Sequence, residues 1–85
     1  MFYTYVLYSQ TFDKIYVGQT KDINMRLTTH NSDENTGWTS PYKPWKLIHL
    51  ENFETRTEAM KREKELKSYQ GRKFIREMIL PKNSK

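Results

Sequence analysis

An 85-residue chain with no cysteine, two histidines and a net charge of +5 has room for one small domain and excludes a disulfide framework or a thiolate zinc site as the source of its stability. Its pI near 9.5 points to a polyanionic partner, with nucleic acid ahead of an anionic membrane surface, because each phosphate met by Lys or Arg releases a counterion. With no apolar run of about 18 residues and no signal-peptide pattern at the N-terminus, the expectation is a soluble, cytoplasmic protein that makes no use of a membrane.

Phe2 to Ser9 is rich in aromatic and β-branched residues, and Ile15 to Thr20 repeats that chemistry after the polar interval Gln10 to Lys14, which reads as a β-hairpin. Asp22 is placed to cap a short helix from Ile23 to Asn31, with Ile23, Leu27 and Asn31 on one side and Arg26 and His30 on another. Asn31 to Pro41 is polar, contains Gly and Pro and follows neither period, so it reads as an exposed loop of a length that often carries function.

Strand character resumes from Trp45 to Phe53, after Pro44 excludes helix. Thr55 or Thr57 can cap a second helix in which Ala59, Met60, Glu63, Leu66 and Lys67 recur at spacings of three and four. Gly71 marks its expected end. Phe74, Ile75, Met78 and Ile79 then form an apolar stripe suited to a last short helix packed on the sheet, which Pro81 stops. The expected architecture is α+β, in the order ββαβαα, with a three-stranded antiparallel sheet flanked by helices. It forms one domain over residues 1–80, followed by a frayed tail at 81–85.

One constellation in this order carries chemistry. Tyr5 and Tyr16 lie on adjacent strands, the second strand ends at the glycine of Tyr16-Val17-Gly18, and Arg26 and His30 follow one helical turn apart. Strand tyrosines also suit a core with their hydroxyls satisfied, and aromatic residues make up 14% of the chain, enough to build one. Arg26 offers a fork of donors that cannot lose its charge and fits a phosphate. His30 can hold a phosphate or transfer a proton. A phenol with its ordinary pKa of about 10 needs a nearby cation or metal to act as a base, and the sequence does not assign that role between Tyr5 and Tyr16.

With these residues in place the chain resembles the GIY-YIG nuclease superfamily over nearly its whole length. The likeness is to its small single-domain members, such as the UPF0213 group, and to the N-terminal domain of the DNA-repair excinucleases. Thr4-Tyr5-Val6 and Tyr16-Val17-Gly18 stand where the two signatures lie. Arg26-Leu27-Thr28-Thr29-His30-Asn31 resembles the helix that carries arginine and histidine. Ala59-Met60-Lys61-Arg62-Glu63 resembles the start of the helix that carries the metal-binding glutamate. The resemblance implies a metal-dependent endonuclease or nicking domain that hydrolyses DNA phosphodiester bonds in repair or recombination. Its implied catalytic residues are Tyr5, Tyr16, Arg26, His30 and Glu63.

The resemblance also implies that Glu63 holds Mg²⁺ or Mn²⁺. A single carboxylate suffices in principle for a cation that retains several waters. The alternative for Glu63 is a solvated helix residue paired with Lys67. Lys43, Lys46, Arg62, Lys67, Arg72 and Lys73 are candidate phosphate contacts, and Trp38 in the loop is a candidate stacking platform for a base. The expected partner is DNA, structured or branched. The competing function is a nucleic-acid-binding module that keeps the fold and the basic face without cleaving.

Overall fold

The computed structural model describes residues 1–34 and 37–83. Three antiparallel strands, β1 (Phe2–Ser9), β2 (Lys14–Thr20) and β3 (Lys46–Phe53), form one sheet in the order β2-β1-β3. β1 is the central strand and both its faces are covered, which is why it reads as a nearly continuous apolar run. The hairpin between β1 and β2 turns through Asp13 in the left-handed region (φ 52°), a conformation that Asp tolerates better than most residues. The Asp13 carboxylate accepts from the Tyr8 hydroxyl at 2.8 Å and from Arg76 Nη1 at 2.8 Å, which ties the turn to the C-terminal helices.

The two-residue strand period sorts the core into two layers. On one face Val6, Ile15, Val17 and Ile48 pack with Leu66, Ile75 and Ile79 from the C-terminal helices. Ile48 belongs there because a bulge in β3 places it between the pairs Val6–His49 and Leu7–Leu47. On the other face Tyr5, Leu7 and Trp45 pack with Ile23 and Leu27 of helix α1 (Ile23–Asn31), whose N-terminus Asp22 caps by accepting from Met25 N. A 3₁₀ turn at Ser40–Tyr42 leads into β3.

Helix α2 (Arg56–Lys67) starts in a complete capping box between Thr55 and Glu58, so Thr55 is the cap and Thr57 is not. It is hung on the sheet by the buried Thr4, whose hydroxyl donates to the Ala59 carbonyl at 2.7 Å.

Three sequence expectations about the C-terminal third are corrected. Helix α2 ends at Lys67, not at Gly71. Ser68 closes it by donating to the Glu65 carbonyl at 2.6 Å and opens helix α3 (Tyr69–Phe74) by accepting from Gly71 N at 3.1 Å. Gly71 is buried inside α3 because a β-carbon there would collide with the Glu65 carbonyl oxygen and the Leu66 backbone. It is a close-approach glycine rather than a helix terminator.

Pro81 does not stop the last helix either. The π-helical turn Ile75–Ile79 precedes helix α4 (Leu80–Asn83), and its wider i→i+5 bonding relaxes the turn against which a proline ring would otherwise clash. The expected fraying of Ser84 and Lys85 lies outside the described residues. Of the expected apolar stripe only Ile75 and Ile79 are buried. Phe74 and Met78 are exposed, and Phe74 lines an open groove with Leu66 and Gly71 between α2 and α3.

Candidate active site

The site residues come from four elements that meet at the end of the hairpin. Tyr5 is at the centre of β1 and is 1% exposed. Its ring crosses toward β2 above Gly18, its register partner. Tyr16, two residues before Gly18, is half-buried, and its ring centroid lies 6.2 Å from that of Tyr5. Helix α1 brings His30 against both, with ring centroids 6.1 Å from Tyr5 and 4.7 Å from Tyr16.

His30 is bonded at both ring nitrogens. Nε2 lies 3.1 Å from the Tyr5 hydroxyl, and Nδ1 lies 2.9 Å from the Thr39 hydroxyl. Burial lowers the His30 pKa, and the nearby Arg26 guanidinium adds to that effect, which favours the neutral imidazole. Tyr5 is driven the opposite way. Burial is the main reason its phenol is held well above the ordinary value. The neighbouring Tyr16 phenol adds to the rise, Arg26 opposes it, and the Glu63 carboxylate raises it slightly further. Arg26 and Glu63 therefore both act on Tyr5 from α1 and α2, although Arg26 itself is exposed to solvent.

Glu63 lies one turn beyond Ala59, the residue that Thr4 anchors. Its Oε2 accepts from Lys67 Nζ at 2.9 Å, so the i,i+4 pair that the sequence offers as an alternative is formed. No group of three or more His, Cys, Asp or Glu side chains stands ready for a metal among the described residues. What the site offers is one partly exposed hard carboxylate beside a cluster of phenols. That donor set fits a cation of the magnesium type, which brings most of its coordination as water, and does not fit a softer metal that needs imidazole or thiolate ligands.

The remaining sequence candidates are dispersed. Trp38 is exposed and stands at the rim, 6.1 Å from the Tyr16 ring centroid and 5.3 Å from that of Tyr42, with Trp45 stacked behind it at 6.4 Å. Lys46 and Lys73 are exposed. Lys43 donates to the Ser32 carbonyl at 3.0 Å and pairs with Asp33 at 3.6 Å, and Arg72 Nε reaches the Lys67 carbonyl at 3.2 Å. Lys67 is taken by Glu63. Arg62 is forked onto Glu51 at 2.9 and 3.1 Å, and His49 donates to the same carboxylate at 2.7 Å.

Sequence reading passed over three residues that shape the site. Gly18 clears space for the Tyr5 phenol. Asn31 clamps the Trp45 backbone, accepting from its N–H at 2.6 Å and donating to its carbonyl at 3.0 Å. Thr39 bonds His30 through its hydroxyl and receives Trp45 Nε1 on its carbonyl at 2.9 Å. Only Gly18 left a signal, as the glycine of the second signature.

Comparison with known proteins gives a consistent outcome. The GIY-YIG catalytic domain matches residues 1–75. UPF0213 proteins of Staphylococcus aureus strains Mu3 and MW2 are each 39% identical to the chain over 62 residues, which is 73% of this chain and 76% of the relative. The solution NMR structure of the UPF0213 protein BH0048 from Bacillus halodurans superposes with a TM-score of 0.52 at 28% identity, covering 88% of this chain and 82% of that one. It shares the α+β fold with its three-stranded antiparallel sheet.

Proposed function

The chain belongs to the GIY-YIG family, whose catalytic domain is that of nucleases, and from that membership we propose that it is a metal-dependent endonuclease that hydrolyses DNA phosphodiester bonds. The observation that carries the reading is the meeting of Tyr5, Tyr16 and His30, with Tyr5 hydrogen-bonded to His30 and the Tyr16 ring centroid 4.7 Å from the imidazole, where the charges of Arg26 and Glu63 both reach Tyr5. These side chains come from four separate elements, and a core alone does not require an arginine and a glutamate to converge on a buried phenol.

Each residue takes a role from its surroundings. Tyr16 is half-buried and reaches solvent, so it is the tyrosine that orients the attacking water and, as the phenolate, takes its proton. Tyr5 is buried and keeps its own proton, which it would offer to the negative charge of that phenolate. His30 stands behind Tyr5 and holds it in place. Exposed Arg26 forks onto the phosphoryl oxygens and neutralises charge that grows in the transition state. Glu63 would hold a Mg²⁺ or Mn²⁺ ion, which supplies further positive charge to those oxygens when bound. Trp38 at the rim offers a face for a base next to the scissile phosphate. Structured or branched DNA in repair or recombination is the substrate class this reading carries, with the cytoplasm as its setting.

Cleavage of a panel of labelled duplex, nicked, branched and single-stranded DNAs in Mg²⁺ or Mn²⁺, by the wild type and not by Glu63→Gln, tests the reading. One observation favours a second reading, a DNA-binding module that does not cut: the Glu63 carboxylate already holds Lys67. Salt-sensitive binding with no cleavage on any member of the panel would select it.

A further inference from the structure

We infer that Thr39 is a positioning residue for the site, donating its hydroxyl proton to His30 Nδ1 and so fixing the tautomer in which Nε2–H points at the Tyr5 phenol oxygen. The inference rests on the proposed nuclease reading, because it is within that reaction that the orientation of Tyr5 has a consequence.

The geometry forms one directed row. The Thr39 hydroxyl lies 2.9 Å from Nδ1, and Nε2 lies 3.1 Å from the Tyr5 oxygen. The Tyr5 oxygen then accepts from the imidazole, and its own proton is left for the side on which Tyr16 lies, with the two ring centroids 6.2 Å apart. A neutral imidazole has one donor and one acceptor nitrogen, so the direction of the first bond sets that of every later one. With Thr39 as donor, Nδ1 accepts, Nε2 donates to the Tyr5 oxygen, and the Tyr5 proton is available to Tyr16. With the reverse tautomer, the Tyr5 proton is turned back to His30 and is lost to Tyr16. No group in the row changes charge except Tyr16, which as the phenolate takes the proton of the attacking water, ends as the neutral phenol, and gives that proton up to solvent as the leaving oxygen is protonated.

The rest of the surroundings agree. Thr39 is 4% exposed, and its backbone carbonyl is pinned by Trp45 Nε1 and Tyr42 N. The position of the hydroxyl is therefore set by the 3₁₀ turn and the β3 entry strand, independently of His30. Among the described residues, the groups facing His30 are Tyr5 from β1, Tyr16 from β2, Arg26 from its own helix and Thr39 from the loop. Arg26 is the charged one among them, and it disfavours an imidazolium that would reverse the row.

The test uses ¹⁵N NMR of the His30 ring in the wild type, Thr39→Val and Thr39→Ser, followed by cleavage kinetics. The wild type should show the Nε2–H tautomer with a hydrogen-bonded Nδ1. Thr39→Val should lose that bond and titrate at higher pH, because a donor to the neutral form has gone. Its kcat should fall about tenfold or more with KM held, and the acid limb of the pH–rate profile should move to higher pH. Thr39→Ser should restore all of these, and unchanged Trp45 fluorescence reports that the fold is intact.

An Nδ1–H tautomer in the wild type overturns the inference, as does a Thr39→Val protein with wild-type titration, or one with wild-type kcat. If the wild type cuts no DNA while the NMR outcomes hold, the nuclease reading falls and the Thr39–His30 assignment stands.

Discussion

A β-carbon on Gly18 would lie 2.5 Å from the Tyr5 hydroxyl oxygen and 3.0 Å from Tyr16 Cε1. The glycine is therefore required by the close approach of two phenols, with no part played by backbone conformation. Gly18→Ala should displace the Tyr5 hydroxyl from His30 and Tyr16. We expect a stability loss of about 1–3 kcal/mol and a roughly hundredfold fall in cleavage rate, since a shift of about 1 Å in a catalytic group costs that much. Urea denaturation alongside kinetics checks the disproportion between the two.

Glu63→Gln removes one exposed ion pair with Lys67, worth about 0.2–0.5 kcal/mol in a helix, and keeps the side-chain shape. The apo melting temperature should hardly change. Millimolar Mg²⁺ or Mn²⁺ should raise the wild-type melting temperature by mass action on the folded state and leave the variant unmoved. A Glu63→Gln protein that gains as much from the metal as the wild type would remove Glu63 as the ligand.

His30 gives the protein a pH dependence of known sign. Its pKa is lowered on folding, by burial first and Arg26 second, so the unfolded chain binds the proton more readily. Stability is then complete above the ordinary histidine value of about 6.5 and falls as pH drops from there toward the folded value. Melting curves from pH 8 down to pH 5, compared with those of His30→Gln, should show a steeper acid decline for the wild type. Parallel curves would mean that His30 contributes nothing to it.

Arg62 and Lys46 should separate two uses of positive charge. Arg62→Ala breaks the fork onto Glu51 between α2 and β3 and should cost on the order of 1–2 kcal/mol, with little effect on the salt dependence of DNA binding. Lys46→Ala should leave stability alone and, if Lys46 meets a phosphate, reduce the slope of log binding constant against log salt by about one. Fluorescence anisotropy across a salt series reads both.

Local signals in the sequence carried the elements whose causes are local. Helix α1 runs from Ile23 to Asn31 with Asp22 as its cap, because both the apolar period and the capping side chain lie within a few residues of each other. Gly71 misled because a left-handed helix terminus and a tight crossing of two backbones leave the same mark, a glycine after an apolar stripe. Only the folded chain shows that Leu66 passes beneath it. The nearness of Tyr5, Tyr16 and His30 was legible through their order, whereas the contact of Thr39 with His30 was not. Thr39 sits in a loop with no period, and its partner is chosen by how the 3₁₀ turn closes over α1. Arg62 stands in the sequence as a candidate phosphate contact, and its fork onto Glu51, eleven positions earlier, shows only when α2 lies against β3.

The bond from Thr4 to Ala59 spans 55 residues, and this separation bears on how the protein is made. The hairpin, α1 and β3 all precede α2 in the chain and are synthesised before it, although one face of their sheet is covered by Leu66 of α2. During that interval the two tyrosines, Arg26 and His30 are present while the glutamate is not. The carboxylate is thus the last of the candidate residues to be made. The proposed ability to cut would arrive only when the last third of the chain docks.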